Sequence, residues 1–80
     1  MLFLSKQKKI KEEYILKVNK MKLKIAMARS KMNASDLSKK ALMPLSTVSS
    51  VISGSNARSK TLGKIAAALD VDVTEIIDMD

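Results

Sequence analysis

Residues 33–54 read NASDLSKKALMPLSTVSSVISG, and this stretch decides the fold. Asn33 is a residue type that caps helix N-termini well, and Asp36 stands three positions later, as in a capping box. The pattern predicts a short helix over residues 34–41. A helix of this length is not stable alone in water, so it must pack against a neighbouring element.

A second short helix follows a tight turn at Leu42 and Met43. Pro44 suits the first position of this helix, where its missing N–H costs no hydrogen bond. The helix is expected to span residues 44–53, and Gly54 ends it where a positive φ is favoured. Two short helices joined by a tight turn are the pattern of a helix-turn-helix unit, whose second helix enters the major groove of duplex DNA.

Helical spacing extends on both sides of this unit, and Gly and Pro are too scarce for a sheet with several tight turns. Apolar residues at positions 18, 21, 25, 28 and 32 predict a first helix over residues 18–31 with that face inward. Residues 55–58 are interpreted as a polar loop. Ser59 is expected to cap a fourth helix, and Asp72 with Glu75 a short fifth one. The predicted fold class is all-α, with five helices.

Composition excludes several classes of function. The chain has 80 residues and neither Cys nor His, which excludes disulfides, thiolate or imidazole metal sites, and Ser–His or Cys–His nucleophile pairs. Eighty residues allow one small domain. We expect no enzyme, no cofactor and no small-molecule ligand. The apolar run Met1 to Leu4 is too short for a secretion signal or a membrane span, which predicts a cytoplasmic, nucleoid-associated protein.

The net charge of +7 is unevenly distributed. Residues 1–64 hold all 15 Lys and Arg and three acids, whereas residues 65–80 hold five acids and no base, so the balances are +12 and −5. Charge alone leaves three interpretations open: a solvated surface, a face that meets nucleic acid, or a basic helix on a membrane surface. Phe3 and Tyr14 are the only aromatic anchors, which disfavours the membrane surface.

From Val18 to Ile77 the chain resembles the Xre family, the Cro/cI-like helix-turn-helix regulators. The resemblance rests on an ordered set of motifs: DLS at 36–38, Met43, STVS at 46–49, Val51, Gly54, TLGKIAAAL at 61–69 and VDVTEII at 71–77. It implies a five-helix Cro/cI domain, similar to lambda repressor, and a transcriptional regulator, with a repressor of phage or mobile-element type as the expected kind. The implied partner is an operator with two half-sites, bound by a weak homodimer whose expected contacts are Ile76, Ile77 and Met79.

Two departures from the family pattern concern the backbone and the core. Lys31 and Leu42 stand where family members often have Gly, so the two turns are either strained or built without a positive φ. Met27 and Ile52 stand where many members pair a buried Arg with a Glu. Because both partners are apolar here, no buried charge is left alone, and we expect Met27 and Ile52 to touch in the core.

The family pattern, carried over position by position, gives the residues that would contact DNA. The base-contacting residues are Leu45, Ser46, Ser49 and Ser50. The phosphate-contacting residues are Asn33, Ala34, Thr47, Ser53, Ser55, Asn56, Arg58 and Lys60. The base-contacting face lacks Arg, Gln and Asn, which make the strong bidentate base contacts. Selectivity is therefore expected to depend on close fit, bridging water and DNA deformability.

The predicted DNA-binding domain occupies residues 18–80, and residues 1–17 form a basic N-terminal extension, flexible or partly helical. Three interpretations of the extension stay open: an arm that wraps DNA, a tail with little effect, or residues upstream of a natural translation start near Leu16. The alternative function is an antitoxin, or another interaction module, that binds a partner protein and autoregulates its operon.

Overall fold

The computed structural model describes residues 14–78. Within that range the elements are, in chain order, β1 (Ile15–Leu16), α1 (Lys20–Ser30), α2 (Ala34–Ala41), α3 (Leu45–Ile52), β2 (Ala57–Arg58), α4 (Ser59–Leu69) and a 3-10 helix (Val73–Glu75). The fold is mostly helical, as predicted. Two findings correct the prediction: the fifth helix is a single 3-10 turn, and a pair of short strands is present. None of the helices in residues 14–78 combines the length and the apolar character that a bilayer span requires.

α1 packs on the core with a face that the sequence did not predict. The expected inward stripe is wrong for its helical members, since Met21 is 66% and Ile25 is 50% exposed, and Ala28 is exposed as well. The buried face consists of Leu23, Ala26 and Met27. Both sets have helical spacing, so the contacts of α1 with α3 and α4 decide which one is buried. Met27 belongs to the buried cluster on which half-buried Ile52 packs, and direct contact between these two stays a prediction.

The helix-turn-helix unit begins and turns as its polar residues predict. Asn33 accepts the N–H of Asp36 at 2.8 Å, and the Asp36 carboxylate accepts the N–H of Asn33 at 3.1 Å, which completes the capping box. In the turn, the Ser38 hydroxyl donates to the Met43 carbonyl at 2.7 Å. The Met43 N–H donates back to the Ser38 carbonyl at 3.0 Å. These local bonds fix the direction in which α3 leaves the turn.

α3 is one residue shorter at each end than predicted. Pro44 is the N-cap of the helix and not its first residue, because its carbonyl accepts the N–H groups of Thr47 and Val48. Ser53 is the C-cap, and Gly54 follows it with a φ of 102°, as the sequence predicts. The polar face of α3 therefore extends over two turns between these two ends.

The turns after α1, α2 and α4 contain non-glycine residues in the left-handed region. Lys31 and Leu42 have φ values of 57°, and Asp70 has 60°. From the sequence, the turns at Lys31 and Leu42 were expected either to be strained or to avoid a positive φ. The structure shows the strained alternative, since both residues have a positive φ. In this conformation the Cβ of a residue other than glycine is sterically crowded, and this crowding destabilises the folded state.

β1 and β2 form a small antiparallel pair in which Ile15 lies opposite Arg58 and Leu16 opposite Ala57. The predicted polar loop at 55–58 therefore ends in a strand. Ser59 is the first residue of α4 and does not cap it, because Arg58 occupies the N-cap position. Instead, the N–H of Ser59 donates to the Tyr14 carbonyl at 2.7 Å and continues the pairing.

The same extended stretch pairs on its other side with the residues that follow the 3-10 helix. The contacts are a bridge between Val18 and Ile77 and hydrogen bonds of 2.9 Å from the Asn19 N–H to the Ile76 carbonyl and from the Asp78 N–H to the Lys17 carbonyl. Residues 14–19 are thus the middle one of three adjacent extended segments. The predicted division at residues 17 and 18 stays a prediction, although residues 14–17 contribute backbone hydrogen bonds to the domain.

The predicted dimer surface at the C-terminal end is wrong for two of its three residues. Ile76 is 0% and Ile77 is 6% exposed, and both belong to the buried core cluster of residues 14–78. Because these side chains are covered by their own chain, they offer no surface to a second copy. The third residue, Met79, lies outside the described residues.

The cap of the 3-10 helix differs from the predicted pairing of Asp72 with Glu75. The Asp72 carboxylate accepts the N–H of Thr74 at 2.9 Å and the Thr74 hydroxyl at 2.8 Å. These two bonds favour the charged carboxylate and lower the pKa of Asp72. Glu75 instead lies 3.5 Å from the guanidinium of Arg29 on α1.

Candidate nucleic-acid interface

α3 is held on the core by one side and exposes the other. Val48 and Val51 are buried against the domain. The opposite side carries the four residues predicted to contact bases, namely Leu45, Ser46, Ser49 and Ser50, and all four are exposed, with Leu45 at 49%. The structure therefore brings these four side chains together on one solvent-facing side. Their contact with bases stays a prediction.

The segment that follows α3 carries most of the predicted phosphate contacts. Its exposed members are Ser53, Ser55, Asn56, Arg58 and Lys60. Arg58 is the N-cap of α4 and Lys60 lies in its first turn, so both cations stand at the helix end whose dipole already favours an anion. The Ser53 hydroxyl donates to the Ser50 carbonyl at 2.9 Å, so in this geometry its hydrogen is not offered to a phosphate.

The N-terminus of α2 is electrostatically less favourable for a phosphate than the sequence predicted. The side chain and the N–H of Asn33 are both bonded to Asp36, as the capping box requires. The Asp36 carboxylate therefore occupies this helix end, and a phosphate beside it would meet a like charge. Ala34 is half-buried at the same end, and Thr47 is half-buried on α3. Contact of these residues with DNA stays a prediction.

Two lysines that sequence reasoning did not select lie beside α3. An open groove separates α1 from the second half of α3, and its lining consists of Lys20, Lys24, Ala34, Ser49, Ile52 and Ser53. The aliphatic part of Lys20 passes over the turn after α3, since its Cδ lies 3.5 Å from the position that a Cβ on Gly54 would take. The spacing of Lys20 and Lys24 places them on one side of α1, but only the packing shows that this side faces α3.

The arrangement combines an uncharged helix face with cations that surround it. Lys20 and Lys24 come from α1, and Arg58 and Lys60 come from the segment after α3. Lysine and arginine side chains neutralise phosphates, whereas hydroxyls and apolar groups suit base edges in the major groove. The second helix of a helix-turn-helix unit, exposed in this way, defines the class of helix-turn-helix DNA-binding domains.

Comparison with known families agrees with this class. The family described as the Cro/C1-type HTH DNA-binding domain matches residues 22–80, which is most of the chain. The chain belongs to this family, and the resemblance to Xre and Cro-like regulators is confirmed. The protein is therefore a DNA-binding regulator of the helix-turn-helix type. No curated protein and no solved structure gave a match.

Proposed function

We propose that the protein is a sequence-selective repressor of phage or mobile-element type that places α3 in the major groove of its operator. The observation that carries the proposal is the exposure of four side chains on one uncharged face of α3, namely Leu45, Ser46, Ser49 and Ser50. Repression follows from occupancy, because a small domain bound across a promoter excludes the transcription machinery without a separate effector domain.

Sequence selectivity comes from fit and not from strong bidentate contacts. Leu45 packs on thymine methyl groups, and the hydroxyls of Ser46 and Ser49 contact base edges directly or through water. A serine hydroxyl both donates and accepts, so it discriminates weakly on its own. DNA that deforms easily to match this short, small face is therefore preferred over stiffer sequences.

Affinity comes from the surrounding cations. Arg58 and Lys60 neutralise phosphates at the start of α4, and Lys20 and Lys24 neutralise phosphates on the α1 side of the groove. Two copies occupy two half-sites about 10 base pairs apart, as is usual for this motif. Because the C-terminal isoleucines are buried within each copy, the duplex itself holds the two copies near each other.

An in-vitro selection from random duplex DNA tests the proposal. The wild-type chain is expected to yield one consensus with two symmetric half-sites. The double variant Leu45→Ala, Ser46→Ala is expected to lose preference at about one or two base pairs per half-site, at about 1–3 kcal/mol for each pair.

Ser35→Ala is the matched control for this selection. It removes an exposed serine hydroxyl from the first turn of α2 and leaves α3 intact, so the consensus should not change. The proposal is wrong if the wild-type chain selects no consensus, or if the double variant selects the same one.

The alternative of an antitoxin includes the same DNA-binding step and adds a surface for a partner protein. An exposed groove beside Leu42, in the turn between α2 and α3, is the feature that favours this addition.

A further inference from the structure

Leu42 is the most exposed large apolar side chain in residues 14–78, at 87%. It lies in the turn between α2 and α3 with φ 57° and ψ 48°, a left-handed conformation that favours glycine. The residue therefore combines backbone strain with exposure of an aliphatic side chain to water. Strain that persists where a glycine would relieve it often marks a functional position.

Leu42 forms one side of an open groove between α2 and α4. The groove has a volume of about 390 Å³ and is lined by Lys40, Ala41, Leu42, Lys64, Ala67 and Ala68. It is larger than the groove beside Arg29 and Glu75 and the groove beside Lys20 and Lys24, which measure about 280 and 320 Å³. The apolar part of the lining consists of Leu42 and three small alanine side chains, and the two lysines complete it.

We propose that this groove is a docking site for an acidic segment of a partner protein, which places one apolar side chain on the alanines beside Leu42. Carboxylates on that segment pair with Lys40 and Lys64. The apolar contact supplies affinity, since burial of Leu42 removes the exposed surface from water. The proposal goes beyond DNA binding and does not rest on it, because none of the six lining residues belongs to the proposed DNA contacts.

The positive charge of Lys40 and Lys64 indicates which kind of molecule binds in the groove. A second copy docked through the same face would bring its own Lys40 and Lys64 against these lysines, and like charges across an interface disfavour that complex. Duplex DNA would satisfy the two lysines but would leave the apolar side of Leu42 without a partner. An acidic, apolar peptide satisfies both parts of the groove.

A peptide titration followed by NMR on the full chain tests the site. The probe is a 12-residue helical peptide with leucine every fourth position and glutamate beside each leucine. We expect chemical-shift changes at the Leu42 methyl groups and at the methyl groups of Ala41 and Ala67. Changes confined to another surface, or an equal response to a version with lysine in place of glutamate, overturn the proposal.

One single variant separates docking from loss of fold, and one pair of variants separates it from total charge. Leu42→Gly is expected to weaken peptide binding at least tenfold while the melting temperature rises, so loss of fold cannot explain the loss of binding. Lys64→Glu is expected to weaken binding at least tenfold, whereas Lys39→Glu, with the same change in net charge outside the groove, keeps it. Unchanged binding in Leu42→Gly, or equal losses in both charge variants, contradicts the proposal.

Measuring operator binding by the same variants shows whether the groove acts independently of DNA binding. Leu42→Gly is expected to select the same DNA consensus as the wild-type chain. If Lys64→Glu weakens binding to duplex DNA and leaves peptide binding intact, the lysines of the groove serve phosphates and the docking proposal is wrong.

Discussion

The ends of the four α-helices in residues 14–78 share one hydrogen-bonded turn. In each turn an N–H donates to the carbonyl five residues earlier; the pairs are Met32 to Met27, Met43 to Ser38, Ser55 to Ser50 and Val71 to Ala66. This turn requires one residue with positive φ, and only the turn after α3 supplies a glycine, Gly54. The left-handed conformation costs a residue with a Cβ about 1–2 kcal/mol, so three of the turns carry strain.

The turn after α1 offers a direct test of this strain. We expect Lys31→Gly to raise the free energy of unfolding by about 1 kcal/mol, because glycine adopts the left-handed region without the steric penalty. Urea unfolding followed by circular dichroism measures the change. Lys24→Gly is the matched control: its position is exposed in the interior of α1, and the substitution there should lower stability by about 1 kcal/mol. A destabilised Lys31→Gly would contradict this account of the turn.

Caps are predictable from sequence when both partners are near each other in the chain. The capping box of Asn33 and Asp36 has a fixed spacing of three residues, and the structure contains both of its bonds. Glu75 has the same spacing from Asp72, yet its carboxylate lies near Arg29 on α1. That choice depends on the packing of α1 against the 3-10 helix, which no local pattern encodes.

At the scale of elements, the helix-turn-helix unit is predictable and its surroundings are less so. α2 and α3 follow from caps, a proline and a glycine, all of which act locally. β1 and β2 have two residues each, too few for an alternating pattern, so the sequence predicted a loop at 55–58 and an all-α chain. The sequence did not predict the buried face of α1, because its apolar residues fall on two sides of the helix. Both sides have helical spacing, so the pattern alone does not distinguish them.

The extended stretch at 14–19 has a measurable energetic role. A chain that begins at residue 18 is expected to be about 2–3 kcal/mol less stable than one that begins at residue 14. It lacks the packing of half-buried Leu16 and the carbonyls of Tyr14 and Lys17 that accept hydrogen bonds.

Denaturant unfolding of the two truncated chains measures this difference. Equal stabilities would show that β1 contributes nothing and that the domain begins at residue 18, as the sequence predicts. A Leu16→Ala variant of the chain that begins at residue 14 separates side-chain packing from backbone pairing.

At the scale of the whole molecule, the cations that would bind phosphates lie apart from the residues predicted to select the DNA sequence. The predicted base-contacting face of α3 has no charged residue, and the cations around it come from α1 and from the segment after α3. The sequence could predict which side of α3 faces outward and the order of the cations that follow it, because the motif orders them along the chain, whereas their contacts with DNA stay predictions. It could not place Lys20 and Lys24, since their proximity to α3 is a product of tertiary packing.

Salt dependence of operator binding tests which cations meet phosphates. Arg58→Ala and Lys20→Ala should each make the slope of log affinity against log salt concentration shallower by about 0.9 per bound copy, with little change in consensus. Lys22→Ala is the matched control, because Lys22 lies with Glu75 and Thr74 in the groove on another side of α1. A control slope that falls as much as the other two would assign the effect to total charge.

The central position of residues 14–19 has a consequence for synthesis of the chain. Asn19 donates from its side chain to Asp78 at 2.7 Å, a pairing of residues 59 positions apart. A ribosome that adds about 5–20 residues per second needs about 3–12 s to make the second partner after the first. The helix-turn-helix unit and β2 are made within that interval, so for its last 20 residues, about 1–4 s, the segment at 14–19 has only one of its two neighbours. Pairing with residues 76–78 is therefore the last long-range contact that this segment makes, and the pairing with β2 that holds Arg58 in place can form before it.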